Sequence, residues 1–163
     1  MGIQAAYIGI DEATLDRLVD LDPGDLAEAL EELEEGGAPT TYLDKLWDGL
    51  HFVLTGRSTD SPVEGDLLSE AVVGVHVFES EEYLGCTELT ELPAIIEALA
   101  AVDIGARLAQ VDFSVLGEAG VYPFIWDEDP ARLREDLTAA FADLVAAHQG
   151  AAAAGQHLLV SIV

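Results

Sequence analysis

An α+β domain with a small mixed sheet follows from three features of the sequence. Short β-branched and aromatic runs stand at both ends, residues 3–10 (IQAAYIGI) and 157–163 (HLLVSIV). Helical apolar spacing fills most of the chain between them. The length, 163 residues of which half are apolar, suits one core rather than two. Terminal strands paired in one sheet, with several helices packed over it, then form a single domain over residues 1–163.

Residues 3–10, bounded by Gly2 and Asp11, read as a buried strand. Asp11 caps a helix through Asp20, with acids in the first turn and Leu15, Leu18 and Val19 on one face. Asp22 caps the next helix and Pro23 suits its first position. Leu26, Leu30 and Leu33 give that helix a narrow apolar face, Glu31, Glu32, Glu34 and Glu35 a solvated one, and Gly36-Gly37 an end.

Residues 42–56, YLDKLWDGLHFVLTG, hold the clearest helical period in the chain. At about 100° per residue, Leu43, Leu46, Trp47, Leu50, Val53 and Leu54 fall within roughly 120° of arc, a core-facing stripe. Asp44, Asp48, His51 and Thr55 stack along one edge of it. Gly49 lies in the helix interior, where glycine costs about 1 kcal/mol against alanine; a large ring or another backbone is expected against it. Thr41 and Asp44 have the spacing of a capping box, and Gly56 closes the helix.

Residues 57–65 (RSTDSPVEG) are a turn-rich loop. Residues 67–72 read as a short helix, 73–78 (VGVHVF) and 83–87 (YLGCT) as strands, and 79–82 as an acidic turn. Thr90 is expected to cap a helix whose face is Leu92, Ile95, Ile96 and Leu99. A helical piece over 104–111 precedes a loop at 117–126 (GEAGVYPFIW), where Pro123 keeps Tyr122 out of the α region. Residues 131–148 carry the longest helical pattern, with Gly150 as its stop and 151–155 as a connector to the last strand.

Six Lys plus Arg against thirty-two Asp plus Glu give a formal net charge of −26. Phosphate contacts need clustered Lys and Arg, so nucleic acid is excluded as a partner, and an anionic membrane face is disfavoured for the same reason. The charge steers a basic protein towards the surface, although acidity of this kind is also a habit of halophilic or GC-rich proteomes. Cys86 is alone, so neither an intrachain disulfide nor a cysteine zinc cluster is available. The first residues lack a basic n-region, so no signal peptide is expected. Nothing approaches the roughly 18 consecutive apolar residues of a membrane span; a soluble, cytoplasmic protein is expected. Phosphate-cradling glycine motifs, H-E-x-x-H and a serine elbow are all missing, so no cofactor and no enzyme class is assigned.

The block LDKLWDGLHFVLTG at residues 43–56 resembles the signature of the YfbM-like family, bacterial proteins with a domain of unknown function. A Tyr-Leu-Gly segment before the Leu92 helix, Val121-Tyr122-Pro123 followed by Trp126, and an Ala-rich helix before the final strand extend the resemblance over the whole chain. Residues 71–78 depart from it by lacking a Gly-Gly pair. The resemblance implies an intracellular single α+β domain and brings no activity, cofactor, partner or site residue with it.

The candidate polar strip is therefore read from the residues alone: Asp44, Asp48, His51 and Thr55. Two carboxylates and an imidazole at this spacing suit a metal, a small-molecule or catalytic site, or a buried network bonded to a neighbouring loop; no metal is assigned. Trp47, Tyr122 and Trp126 are the candidate pocket aromatics, with a core ring and a loop clamp as their plainer roles. Cys86 with His51 or His76 offers a nucleophile–base pairing, against which stands the usual role of a lone cysteine as a small core residue. Two function classes stay open: a non-enzymatic module whose acidic surface engages a basic protein, and an enzyme or small-ligand binder around Asp48 and His51. Oligomeric state is not legible.

Overall fold

The computed structural model describes residues 2–163. In chain order the elements are β1 (Ala5–Ile10), α1 (Glu12–Val19), α2 (Leu26–Glu35), β2 (Thr40–Asp44), α3 (Trp47–Thr55), α4 (Leu67–Val73), β3 (His76–Val77) and β4 (Tyr83–Thr87). Helices α5 (Leu92–Ala100), α6 (Ile104–Gln110), α7 (Phe113–Glu118) and α8 (Pro130–Ala154) precede β5 (His157–Ile162). The five strands form one sheet in the order β2-β1-β5-β4-β3. The terminal strands are adjacent, with Ala5 opposite Ile162 and Ile10 opposite His157. Every pairing is antiparallel, where a mixed sheet is expected from sequence; apolar pattern decides which residues are buried, not the direction in which a strand runs.

All six residues of β1 are buried, because helices cover both faces of the sheet. Ala5, Tyr7, Leu158 and Val160 face the larger cluster, built with α3 to α8. Ile8, Ile10, Leu84, Cys86 and Leu159 face Leu15, Leu18, Leu26 and Ala29 of α1 and α2. A strand wedged between two apolar layers reads as a continuous apolar run rather than an alternating one. Tyr7 and Tyr83 donate their hydroxyls to the carbonyls of Val72 and Val73 (2.7 and 2.8 Å), satisfying the end of α4 against the sheet.

Residues 42–56 are not one helix. Thr40–Asp44 is edge strand β2, in which Thr41 pairs with Tyr7 and so cannot cap a helix with Asp44. Thr-Thr-Tyr favours a pleated, half-buried surface, and β1 supplies the partner that the helical period does not reveal. Asp44 then takes φ 52, a left-handed turn that redirects the chain into α3, and Leu46 stands at the N-cap without a side-chain bond. Aspartate tolerates this region better than β-branched residues do. Asp44→Gly is expected to keep the parent's urea midpoint, whereas Asp44→Val loses roughly 2 kcal/mol, the left-handed penalty plus a bulky side chain. Equal midpoints for the two would exclude the backbone as the reason for aspartate.

Three other expectations fail locally. Helix α8 runs through Gly150 to Ala154 and ends at Gly155, whose φ of 66 supplies the left-handed cap. Ala151 is buried against the core and alanine is the best helix former, which outweighs one glycine. Thr90 caps nothing: Glu88 and Glu91 form a reciprocal capping box around the single turn Leu89–Glu91. Helix α7, which Asp112 opens by accepting a bond from Ser114 N, runs to Glu118, two residues into the expected loop at 117–126.

Candidate functional site

The polar residues of α3 face the two loops that follow it in space, residues 57–65 and 121–126. Asp48 is 4% exposed. Its Oδ1 accepts from Thr59 N (2.8 Å), Thr59 Oγ1 (3.0 Å) and Ser58 Oγ (3.1 Å), and its Oδ2 from Tyr122 N (2.9 Å). One carboxylate thereby fixes both loops to the helix.

His51 is fully buried. Its Nδ1 lies 2.6 Å from the Arg57 carbonyl, which can only accept, so Nδ1 carries the proton and Nε2 accepts from Ser69 Oγ at 2.7 Å. Ser69 Oγ in turn accepts from Val63 N (3.0 Å). Thr55 donates to the His51 carbonyl (2.8 Å) and stays on the helix. Asp44 is remote from the strip in kind, being on β2; the expected i, i+4, i+7 set reduces to Asp48, His51 and Thr55. Asp44, Asp48 and His51 do not share one helix edge, since α3 begins at Trp47, and both oxygens of Asp48 already accept bonds from loop donors.

Ser69, His51 and the Arg57 carbonyl stand in the order of nucleophile, base and orienting group. Both side chains of the pair are fully buried, and substrate has no approach to the hydroxyl. The partners Ser58, Thr59 and Ser69 escape the sequence reading; the hydroxyl-rich run RSTDS after the helix is the signal for the first two, and Ser69, on α4, has none.

Trp47 donates its Nε1–H to the Ile3 carbonyl (3.1 Å) and stacks on Tyr122 at 5.6 Å. The Tyr122 hydroxyl accepts from Ile3 N (2.7 Å), so the two rings bracket one residue before β1. Trp126 donates to the Val121 carbonyl (2.8 Å), stacks on Phe113, and lays its ring over Gly49. The three aromatics clamp the N-terminal segment and the loop at 121–126 onto α3. Burial, with the Glu88 and Glu91 charges, pushes the Cys86 thiol up to about 12, leaving no thiolate at neutral pH for a nucleophilic role.

Among the described residues one group has metal-ligand character: His76 and Glu88, whose side chains are exposed, and the half-buried Glu91. His76 Nε2 lies 3.0 Å from Glu91 Oε1 and 3.6 Å from Glu88 Oε2. Glu91 Oε1 also accepts from Glu88 N, so the group is already accounted for by the capping box and an imidazole bonded to it.

Burial holds His51 below its ordinary 6.5, opposed by the Arg57 carbonyl and by Asp48 and Asp66, and burial holds His148 below it too, opposed by the Leu144 carbonyl. Each imidazole therefore protonates more readily in the unfolded chain. Below pH 6.5 the unfolded state binds more protons, so stability falls as pH falls from there towards the folded values. Urea midpoints are expected to drop between about pH 6.5 and pH 5, and less so in His148→Phe; a midpoint that rises over this window would contradict neutral buried imidazoles.

A family model described as "Domain of unknown function (DUF1877)" matches residues 1–161. The chain is 30% identical over 167 residues to Protein YfbM of Escherichia coli (strain K12), covering 100% of this chain and 99% of that protein. The crystal structure of YfbM from Escherichia coli, described as a protein of unknown function, matches with a TM-score of 0.84 at 29% identity, over 98% of this chain and 99% of that one. Sequence and architecture agree over the full length, and the chain belongs to the DUF1877 family, as a YfbM-like α+β domain.

Proposed function

We propose that the protein is a cytoplasmic, non-enzymatic binding domain whose acidic surface engages a basic protein. The observation that carries this reading is the layer made by α1 and α2. Residues 11–35 contain eleven Asp and Glu, all exposed, against Arg17 alone. Arg17 is matched by Glu32 at a loose 4.0 Å, so the layer keeps its field. The second reading, an enzyme or small-ligand binder around Asp48 and His51, loses support because those groups are buried and spent on loop backbone. No helix among the described residues is long and apolar enough to cross a membrane.

The test is binding of a labelled arginine-rich peptide followed by anisotropy across a salt series. Steep loss of affinity as the Debye length shrinks from about 30 Å at 0.01 M to about 8 Å at 0.15 M salt supports the reading. Glu28, Glu31, Glu34 and Glu35 changed together to Gln should flatten that slope. No binding at low salt, or binding indifferent to salt, would overturn it.

A further inference from the structure

The loop at residues 121–126 is anchored at Val121, Tyr122 and Trp126. Val121 N bonds the Leu116 carbonyl (3.0 Å), Tyr122 N bonds Asp48, Tyr122 Oη holds Ile3, and Trp126 Nε1 returns to Val121. The Tyr122–Pro123 peptide is cis. Between these anchors Phe124 adopts φ 71 and leaves its side chain in solvent, at 69% exposure. A bulky residue in the left-handed region is uncommon, and one that is also an exposed phenyl gains nothing for the fold.

Phe124 borders a cleft of about 490 Å³ with Phe113, Gly117, Trp126, Glu118 and Asp127. Phe113 and Trp126 form its floor, nearly parallel at 8° with centroids 6.0 Å apart. The Arg134 guanidinium already lies 5.7 Å from the Phe113 centroid, so this aromatic group accepts a planar cation within the protein itself. Glu118 and Asp127 are exposed at the rim, and neither has an ion pair among the described residues.

We propose that this cleft receives an arginine side chain of the basic partner, with the guanidinium plane on Phe124 and its N–H groups directed to Glu118 and Asp127. The proposal rests on the reading of the domain as a binder of basic protein, and adds to it a contact point on the face of the sheet opposite α1 and α2. Carboxylates at the rim select a cation. An exposed phenyl beside them favours the planar, weakly hydrated guanidinium over the strongly hydrated ammonium of lysine. Covering an exposed phenyl with such a group is the pattern of an interface anchor.

The experiment uses the full chain with two labelled peptides, one alternating Arg and Gly, the other alternating Lys and Gly. Phe124→Gly removes the ring and suits the positive φ, so its melting temperature should equal or exceed the parent's. It is expected to weaken the arginine peptide about tenfold and the lysine peptide much less. Glu118→Gln with Asp127→Asn should weaken both peptides more than Glu31→Gln with Glu34→Gln does. If Phe124→Gly leaves arginine-peptide affinity within about twofold while binding stays salt-sensitive, the cleft is not the anchor and the acidic-module reading stands. If neither peptide binds at low salt, both fall.

Discussion

Gly49→Ala is expected to destabilise the fold by about 2–3 kcal/mol, and Gly49→Val by more. A Cβ at residue 49 would stand 2.2 Å from Trp126 Cη2 and 2.8 Å from Cζ2. The ring cannot retreat on its own, because its Nε1–H is bonded to Val121 and its face is stacked on Phe113. Alanine recovers roughly 1 kcal/mol of helix propensity, and the overpacking is expected to exceed that. At about 2–4 °C per kcal/mol for a chain of this size, thermal melting should fall by roughly 5–10 °C in the alanine variant. The decisive measurement is the double variant Gly49→Ala with Trp126→Leu. Contact between the two predicts a total loss smaller than the sum of the single losses. A neutral Gly49→Ala, or strict additivity, would show that the ring does not require glycine.

That contact is half legible in the sequence. A glycine in the middle of a strong apolar period announces that something large lies against the helix, but not which of the chain's rings does so. The same limit governs residues 42–56. Leu43, Trp47, Leu50, Val53 and Leu54 are all buried, as their spacing implies, yet Leu43 is buried from a strand and the others from a helix. Burial pattern is a local property of the sequence; the choice of strand for 40–44 depends on pairing with β1, more than thirty residues away. The polar strip failed at the same place, since Asp44 belongs to the strand. Its partners were invisible for a related reason: Thr59 and Tyr122 meet Asp48 with backbone N–H groups, and every residue but proline carries one. The terminal strands were clear because continuous apolar runs at both ends have few alternatives to burial inside a sheet.

Asp48→Asn is expected to cost about 3 kcal/mol, and Asp48→Ala about 4–5 kcal/mol, from the loss of charge-assisted bonds and the stranding of buried donors. An amide offers one acceptor oxygen where the carboxylate offers two. If that oxygen keeps Thr59 and Ser58, the NH₂ faces the Tyr122 N–H, donor against donor; the reverse flip strands Thr59 instead. Ser58→Ala, by contrast, removes one hydroxyl and leaves Thr59 and Tyr122 bonded, so a loss of about 1 kcal/mol is expected. Chemical denaturation of the three variants, with a double-mutant cycle for Asp48→Asn and Ser58→Ala, measures the coupling directly. Polar groups kept for a site are commonly held at the expense of stability, so an Asp48→Asn protein that melts above the parent would mean the strip serves chemistry rather than architecture. A consequence at a distance follows if architecture is right. Tyr122 is the near end of the segment that presents Phe124, and its backbone is tied to α3 through Asp48 alone. Below the melting transition, Asp48→Ala, which leaves Tyr122 N without any acceptor, should therefore weaken the arginine peptide although the carboxylate itself is sealed, and Ser58→Ala should not, because it leaves the Tyr122 bond in place.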